Sequence, residues 1–252
     1  MTSNKPVPVE KLLGTRYARI LTYPLTDPDQ EKSRIAELRS MGVSAVRFDG
    51  RTLIDGVPVL GKGCVGIVTE AIVEGELTAL KIRRLDADRP SMLEEARLLR
   101  LANAVEVGPR LIGSTRNFLV MQLFRGIPLF RWAESSHPSR VRVRRVLSDL
   151  LYACFRLDAV GLDHGELSHA PRNVLVDGVG GACIVDFESA SMVRRVANVT
   201  SLLQYFLFGS ISKNLRTSDM VASKRTVVRA LSEYKRESSV ENFQSVLRIL
   251  RL

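Results

Sequence analysis

The spacing of apolar residues changes character part-way along the chain. In the first half the apolar runs are short and are punctuated by turn residues. Gly66–Ile72 and Leu77–Ile82 are two such runs, and Val73-Glu74-Gly75-Glu76 between them predicts a β-hairpin. Leu111–Gly113 and Asn117–Met121 predict two more short strands, placed after a helix over Pro90–Ala102 whose Leu93, Ala96 and Leu99 share a face. Upstream, Asp27-Pro28-Asp29-Gln30 carries helix-start signals: Asp27 as N-cap, Pro28 at the first helical position and Gln30 at the capping-box position. Ile35, Leu38 and Met41 continue one face of that helix, and Gly42 suits its end. Val43 to Phe48 predicts a strand. With the turn pairs Asp49-Gly50 and Asp55-Gly56, the stretch 43–60 reads as a strand meander.

Past residue 122 the period becomes helical. Ser139 suits the cap of a long helix reaching Val160, with Val143, Val146, Leu147, Leu150, Leu151 and Cys154 on its apolar face. Two short strands, Asn173–Val176 and Ala182–Val185, interrupt the pattern, which then stays helical to Leu252. A strand-rich half followed by a helix-rich half predicts an α+β fold in two lobes. The expected organisation is an N-terminal extension over 1–56 packing on the first lobe, a β-rich lobe over 57–121, and a small helical lobe over 122–252.

Composition sharpens this picture in three places. Apolar residues make up 45% and charged residues 25% of the 252 positions, a globular mix with enough chain for two small cores. No apolar run of 18 residues occurs and none follows Met1, so a soluble, cytoplasmic protein with no membrane partner is expected. The cysteines, Cys64, Cys154 and Cys183, are odd in number and far apart, which suggests neither a disulfide framework nor a zinc site. The net charge of +10 attracts polyanions. From Ser201 onward nine Lys and Arg, Arg216 among them, stand against four acids that include Asp219. RNA or ribonucleoprotein contact through these C-terminal helices is the corresponding expectation beside a solvated helix face.

The chemistry-bearing residues begin with Gly61-Lys62-Gly63-Cys64-Val65-Gly66-Ile67-Val68, a G-x-G-x-x-G-x-V pattern. A dinucleotide fingerprint requires a helix after the glycines, whereas β-rich sequence follows here. A glycine-rich hairpin suits phosphates because bare backbone approaches them without side-chain clash. Lys81 sits between apolar neighbours in Ala79-Leu80-Lys81-Ile82, and a charge so placed needs a partner. Glu95, 14 residues later on the predicted helix, is the candidate, with Glu94 as the adjacent alternative. Further on come Arg172-Asn173-Val174-Leu175-Val176 and Ile184-Val185-Asp186-Phe187-Glu188, with Asn173 13 positions before Asp186.

Taken in order, these motifs resemble the protein-kinase-like superfamily. Glu95-Ala96-Arg97-Leu98-Leu99, His164-Gly165-Glu166-Leu167-Ser168 in place of H-R-D-L-K, and a short segment after Asp186 resemble its compact atypical members. These are the RIO-type kinases, the small kinase of the tRNA threonylcarbamoylation machinery and, closest, archaeal predicted serine/threonine protein kinases. The resemblance spans roughly residues 57–210. It implies a bilobal protein-kinase-like fold acting as an atypical serine/threonine protein kinase, with ATP and Mg²⁺ as cofactors and a protein as substrate. Gly61, Gly63, Gly66 and Val68 would then cover the phosphates, and Lys81 would bind them while paired with Glu95. Gln122 and Leu123 would form the adenine-gripping hinge. Asn173 and Asp186 would hold the metal, and Glu166 would be the catalytic base.

Two departures from the family pattern stand out. Glu replaces the usual Asp two residues after the loop histidine, and Asn173 follows seven residues on rather than five. Asp163 is a second carboxylate candidate for the base, while His164 is expected to pack beneath the Asp186 strand and His137 and His169 to lie at the surface. Phe187-Glu188 replaces Phe-Gly, and no A-P-E element follows. Ser189, Ser191, Thr200 and Ser201 are candidate phosphorylation positions. Two other readings stay open: a nucleotide-binding pseudokinase or ATPase module in ribonucleoprotein assembly, and a small-molecule kinase of the aminoglycoside-phosphotransferase type.

Overall fold

The structure, a computed structural model, describes residues 5–135, 137–169, 172–215 and 223–252. Arg216, Asp219 and the side chain of His169 lie outside the described residues. The fold is mixed α+β, with an antiparallel sheet in the N-terminal region and helices later. The chain divides into two compact units, Met1–Arg100 with Arg110–Leu123, and Leu101–Pro109 with Phe124–Leu252.

In the first unit, among the described residues, seven strands form one sheet: β1 (Val7–Pro8), β2 (Val43–Arg47), β5 (Gly61–Lys62), β6 (Gly66–Val73), β7 (Glu76–Arg83), β8 (Leu111–Ser114) and β9 (Phe118–Gln122). They run β1-β2-β6-β7-β9-β8, with β5 paired to β6, and every pairing is antiparallel. The β6–β7 hairpin closes through Glu74 and Gly75, both at positive φ (52° and 82°). That is the signature of a two-residue I′ turn, whose twist matches the flanking strands. Helix α1 (Ala18–Leu21) and helix α2 (Pro28–Ser40) cover this sheet's core, and α3 (Leu93–Ala104) follows β7. Asp27 caps α2 as expected, accepting from the backbone N–H groups of Asp29 and Gln30.

The strand meander expected over 43–60 does not form. β2 pairs with β1 and β6, while β3 (Thr52–Ile54) and β4 (Val57–Val59) make a separate two-stranded ladder. Burial decides this: Val43, Val46 and Phe48 enter one core with Leu12, Ile20, Leu21, Ile35, Leu38, Ile67, Leu80 and Phe118. Residues 7–48 therefore supply part of the sheet and much of its core. Each such fully buried apolar side chain contributes roughly 1.5–3 kcal/mol.

Charged groups stitch this core as well. Arg34, fully buried on α2, donates to the carbonyls of Leu21 and Arg83 and, at 3.0 Å, to Asn117 Oδ1. Glu37 accepts from Asn117 N–H (2.9 Å) and Nδ2 (2.7 Å). Burial, with the Arg83 charge beside it, lowers the Arg34 guanidinium to about 10.

The second unit carries β10 (Ile127–Pro128), α4 (Leu129–Ser135), α5 (Arg140–Ala159), β11 (Val174–Val176), β12 (Ala182–Ile184), α6 (Asn198–Phe208), α7 (Ser212–Leu215), α8 (Lys224–Arg236) and α9 (Val240–Leu250). α5 is the helix expected from Ser139 to Val160, and the Ser139 hydroxyl accepts from Arg142 N–H. Its apolar face packs in a core with α6, α8 and α9, where Phe155 stacks on Phe243 at 4.3 Å. Residues 101–109 belong with these helices. Arg156 of α5 donates to the carbonyls of Val105 and Glu106, and Asn103 donates to those of Val107 and Pro109. No helix among the described residues is long and apolar enough to cross a membrane.

Candidate functional site

The first unit assembles the glycine-rich loop and Lys81. Gly61 and Lys62 pair with Val68 and Ile67, and Gly63 N–H donates to Gly66 O at 2.8 Å, so the loop is a strand–turn–strand hairpin with no helix after it. Val68 lies opposite Lys81 across the β6–β7 ladder. A Cβ on Gly66 would come within 3.0 Å of Lys81 Cγ and Cε and 3.1 Å of Ile82 O. The lysine stem thus runs under the glycine, and a side chain at 66 would crowd it. At the loop's other edge Arg84 donates to Gly63 O (2.8 Å) and forks onto Asp86.

Lys81 is 4% exposed and Glu95 is 4% exposed. Lys81 Nζ lies 2.9 Å from both Glu95 carboxylate oxygens. The structure separates the two candidate acids cleanly: Glu95 is buried on Lys81, whereas Glu94 is exposed and pairs with Arg97. A buried charge on a strand is held here by a bidentate, charge-assisted contact. Gln122 ends β9 opposite Thr78, and its side chain accepts from Arg110 N–H at 3.4 Å. Leu123, half-buried, is the last residue of this unit.

The second unit brings the remaining candidates together around the β11–β12 hairpin. Val174 pairs with Ile184, and Val185 N–H donates to Asn173 O at 2.9 Å. Asn173 and Asp186 therefore emerge at the same end of one hairpin. Asp186 holds a positive φ of 69°, which is uncommon outside glycine and clusters at functional positions. Asn173 Nδ2 donates to Glu166 Oε2 at 2.7 Å, which leaves the amide oxygen Oδ1 as the atom suited to a cation. Ser189 Oγ donates to the other oxygen, Glu166 Oε1, at 2.5 Å. Carboxylate and amide oxygens are the hard donors that Mg²⁺ takes, so Asp186 and Asn173 fit that ion.

His164 and Asp163 frame this loop from within. His164 is fully buried; Nε2 contacts Val185 O at 3.1 Å, and the ring meets Phe187 edge-on at 5.1 Å. A carbonyl only accepts, so Nε2 carries the proton, and Nδ1 faces no hydrogen-bond partner among the described residues. Burial holds the imidazole below its usual range despite the nearby carboxylates of Asp186, Glu166 and Asp163. His164 packs beneath the Asp186 strand as expected, and His137 is exposed. Asp163, the second carboxylate considered as the base, is itself firmly held. It is 5% exposed, accepts from Arg194 Nε (2.6 Å) and Ala197 N–H (3.1 Å), and pairs its backbone with Ser191.

Several contributors carry no signal in the sequence pattern. Asn198, at the start of α6, accepts His164 N–H at 2.8 Å and donates to Asp158 Oδ1 (2.7 Å) and Leu162 O (2.7 Å). Tyr234 OH donates to Asp158 Oδ2 at 2.9 Å. Burial raises the Asp158 carboxyl and the Tyr234 phenol above their usual ranges. This chain of buried hydrogen bonds fixes the loop before Glu166 to three helices. Comparison with protein-family models returns no match, and neither does comparison with curated proteins.

Proposed function

We propose that this chain is an ATP-dependent phosphotransferase with a bilobal protein-kinase-like fold, moving the γ-phosphoryl group of Mg-ATP to a serine or threonine hydroxyl. One observation carries the proposal. A strand lysine, lying under the last glycine of a glycine-rich hairpin, is held by both oxygens of a helix glutamate. This is the arrangement that orients an ammonium group toward phosphate oxygens in the kinase mechanism. Glu166 is the proposed base, orienting the acceptor hydroxyl and taking its proton late in the transfer. Asn173 and Asp186 are the proposed Mg²⁺ ligands; the ion, when bound, neutralises charge on the phosphates. Gly61, Gly63, Gly66 and Val68 are proposed to cover the phosphates, and Gln122 and Leu123 to meet the adenine ring through their backbone.

The test is a phosphate-transfer assay with labelled ATP and Mg²⁺ on wild type, Asp186→Asn and Glu166→Gln. Label on a serine or threonine in wild type, lost in both variants, supports the proposal. A second reading draws on the Glu166 contacts: because Asn173 and Ser189 occupy both its oxygens, the chain is a nucleotide-binding module without an external acceptor. Binding of ATP without any transfer favours that reading.

A further inference from the structure

The segment after Asp186 folds back onto the loop that carries Glu166. Ser191 and Asp163 exchange backbone hydrogen bonds at 2.8 and 2.9 Å, which returns the chain across the start of the loop. Arg194 locks the return, donating to Asp163 Oδ2 and to Ser189 O (2.7 Å). Gly165, at φ +88°, lies directly under this guanidinium, and a Cβ there would also meet Ser189 O at 2.9 Å. The fold-back delivers the Ser189 hydroxyl, half-buried, to Glu166 Oε1. Glu166 is held from its other side by Asn173, so the carboxylate has one fixed oxygen for a hydroxyl, and Ser189 supplies that hydroxyl.

We infer that Ser189 is a phosphoacceptor of this chain itself, modified in cis by its own site. The inference rests on the phosphotransferase reading and names its substrate. A general base must stand within hydrogen-bond reach of the proton it takes, and Glu166 already stands so to Ser189. In the step, Ser189 Oγ forms a bond to the γ-phosphorus of ATP. The bond from that phosphorus to the β–γ bridging oxygen breaks, ADP leaves, and the Ser189 proton passes to Glu166. Once Glu166 has released that proton to water, the product phosphate carries charge of the same sign as the carboxylate and is driven off it, and the Arg194 guanidinium on the same residue's carbonyl is the nearby counter-charge. Modification would thereby uncover Glu166 for an outside hydroxyl.

Incubating the full chain with labelled Mg-ATP and mapping the phosphate by mass spectrometry tests this. Phosphate is expected on Ser189, with Ser189→Thr giving phosphothreonine at the same position and Ser189→Ala losing the label there. The first-order rate should stay constant over roughly a hundredfold range of protein concentration, as an intramolecular step requires. An Asp186→Asn chain mixed with wild type should remain unlabelled at Ser189. Phosphate elsewhere with Ser189 unmodified, or a rate proportional to protein concentration, overturns the inference and leaves the phosphotransferase reading standing. No phosphate on protein and no ADP formed overturns both.

Discussion

Replacing Lys81 with methionine probes the first unit in two independent ways. Lys81 and Glu95 side chains are each 5% exposed, and the ammonium sits 2.9 Å from the carboxylate. Removing one partner of a buried ion pair costs about 3–5 kcal/mol, because the other charge loses its compensation. In a chain of this length each kcal/mol moves the melting temperature by about 2–4 °C, so Lys81→Met and Glu95→Leu should each lower it by roughly 6–20 °C. The double variant removes both charges, and apolar replacements for buried pairs are often neutral or better. It should therefore recover most of the loss, giving a coupling energy of about 3 kcal/mol or more in the double-mutant cycle. Under the proposed function, nucleotide binding, followed with a fluorescent ATP analogue, should not recover, since the ammonium proposed to meet the phosphates is still missing. Urea unfolding by circular dichroism supplies the free energies. The reasoning is refuted if the single variants lie within about 1 kcal/mol of wild type, or if their effects simply add in the double variant.

Other consequences are simpler to check. Gly66→Ala should weaken ATP-analogue binding and cost about 1–3 kcal/mol in urea unfolding, because its Cβ presses on the Lys81 stem. Stability should fall as pH drops below about 6.5, since the unfolded chain takes up the His164 proton before the folded chain does. The decline should reach up to about 1.4 kcal/mol per pH unit and be shallower by one proton in His164→Asn, measured as urea midpoints against pH. Arg34→Met should destabilise the chain by about 1–3 kcal/mol in urea unfolding, because it takes the guanidinium donor from the carbonyls of Leu21 and Arg83. Neutralising the exposed Lys224, Arg225, Lys235 and Arg236 of α8 should weaken RNA affinity and flatten its salt dependence in a binding titration. Unchanged affinity would remove the RNA contact from the account.

What could be read in advance follows physical lines. Long elements with strong periodicity, such as β6, β7, α2 and α5, lie close to where their apolar spacing puts them. Two-residue strands such as β1 and β10 carry no periodicity, so their pairing was invisible. β2 alternates like any surface strand, and nothing local says that its partner is β6 rather than β3. Lys81 was legible because a lysine among apolar strand residues is anomalous, and Glu95 because it lies on a helix at suitable spacing. Arg34 was not, because a helical arginine reads as solvent-facing and its acceptors come from residues 21, 83 and 117. Asn198 was hidden for the same reason, and Ser189, though a candidate phosphorylation position, gave no sign of its contact with Glu166: each acts through a partner more than twenty positions away.

The account stands or falls on Mg²⁺-dependent ATP binding. Isothermal titration of wild type with ATP, with and without Mg²⁺, beside Asp186→Asn, measures it directly. The account predicts binding that Mg²⁺ strengthens in wild type and that Asp186→Asn loses along with the Mg²⁺ effect. ATP affinity indifferent to both Mg²⁺ and the substitution would contradict it.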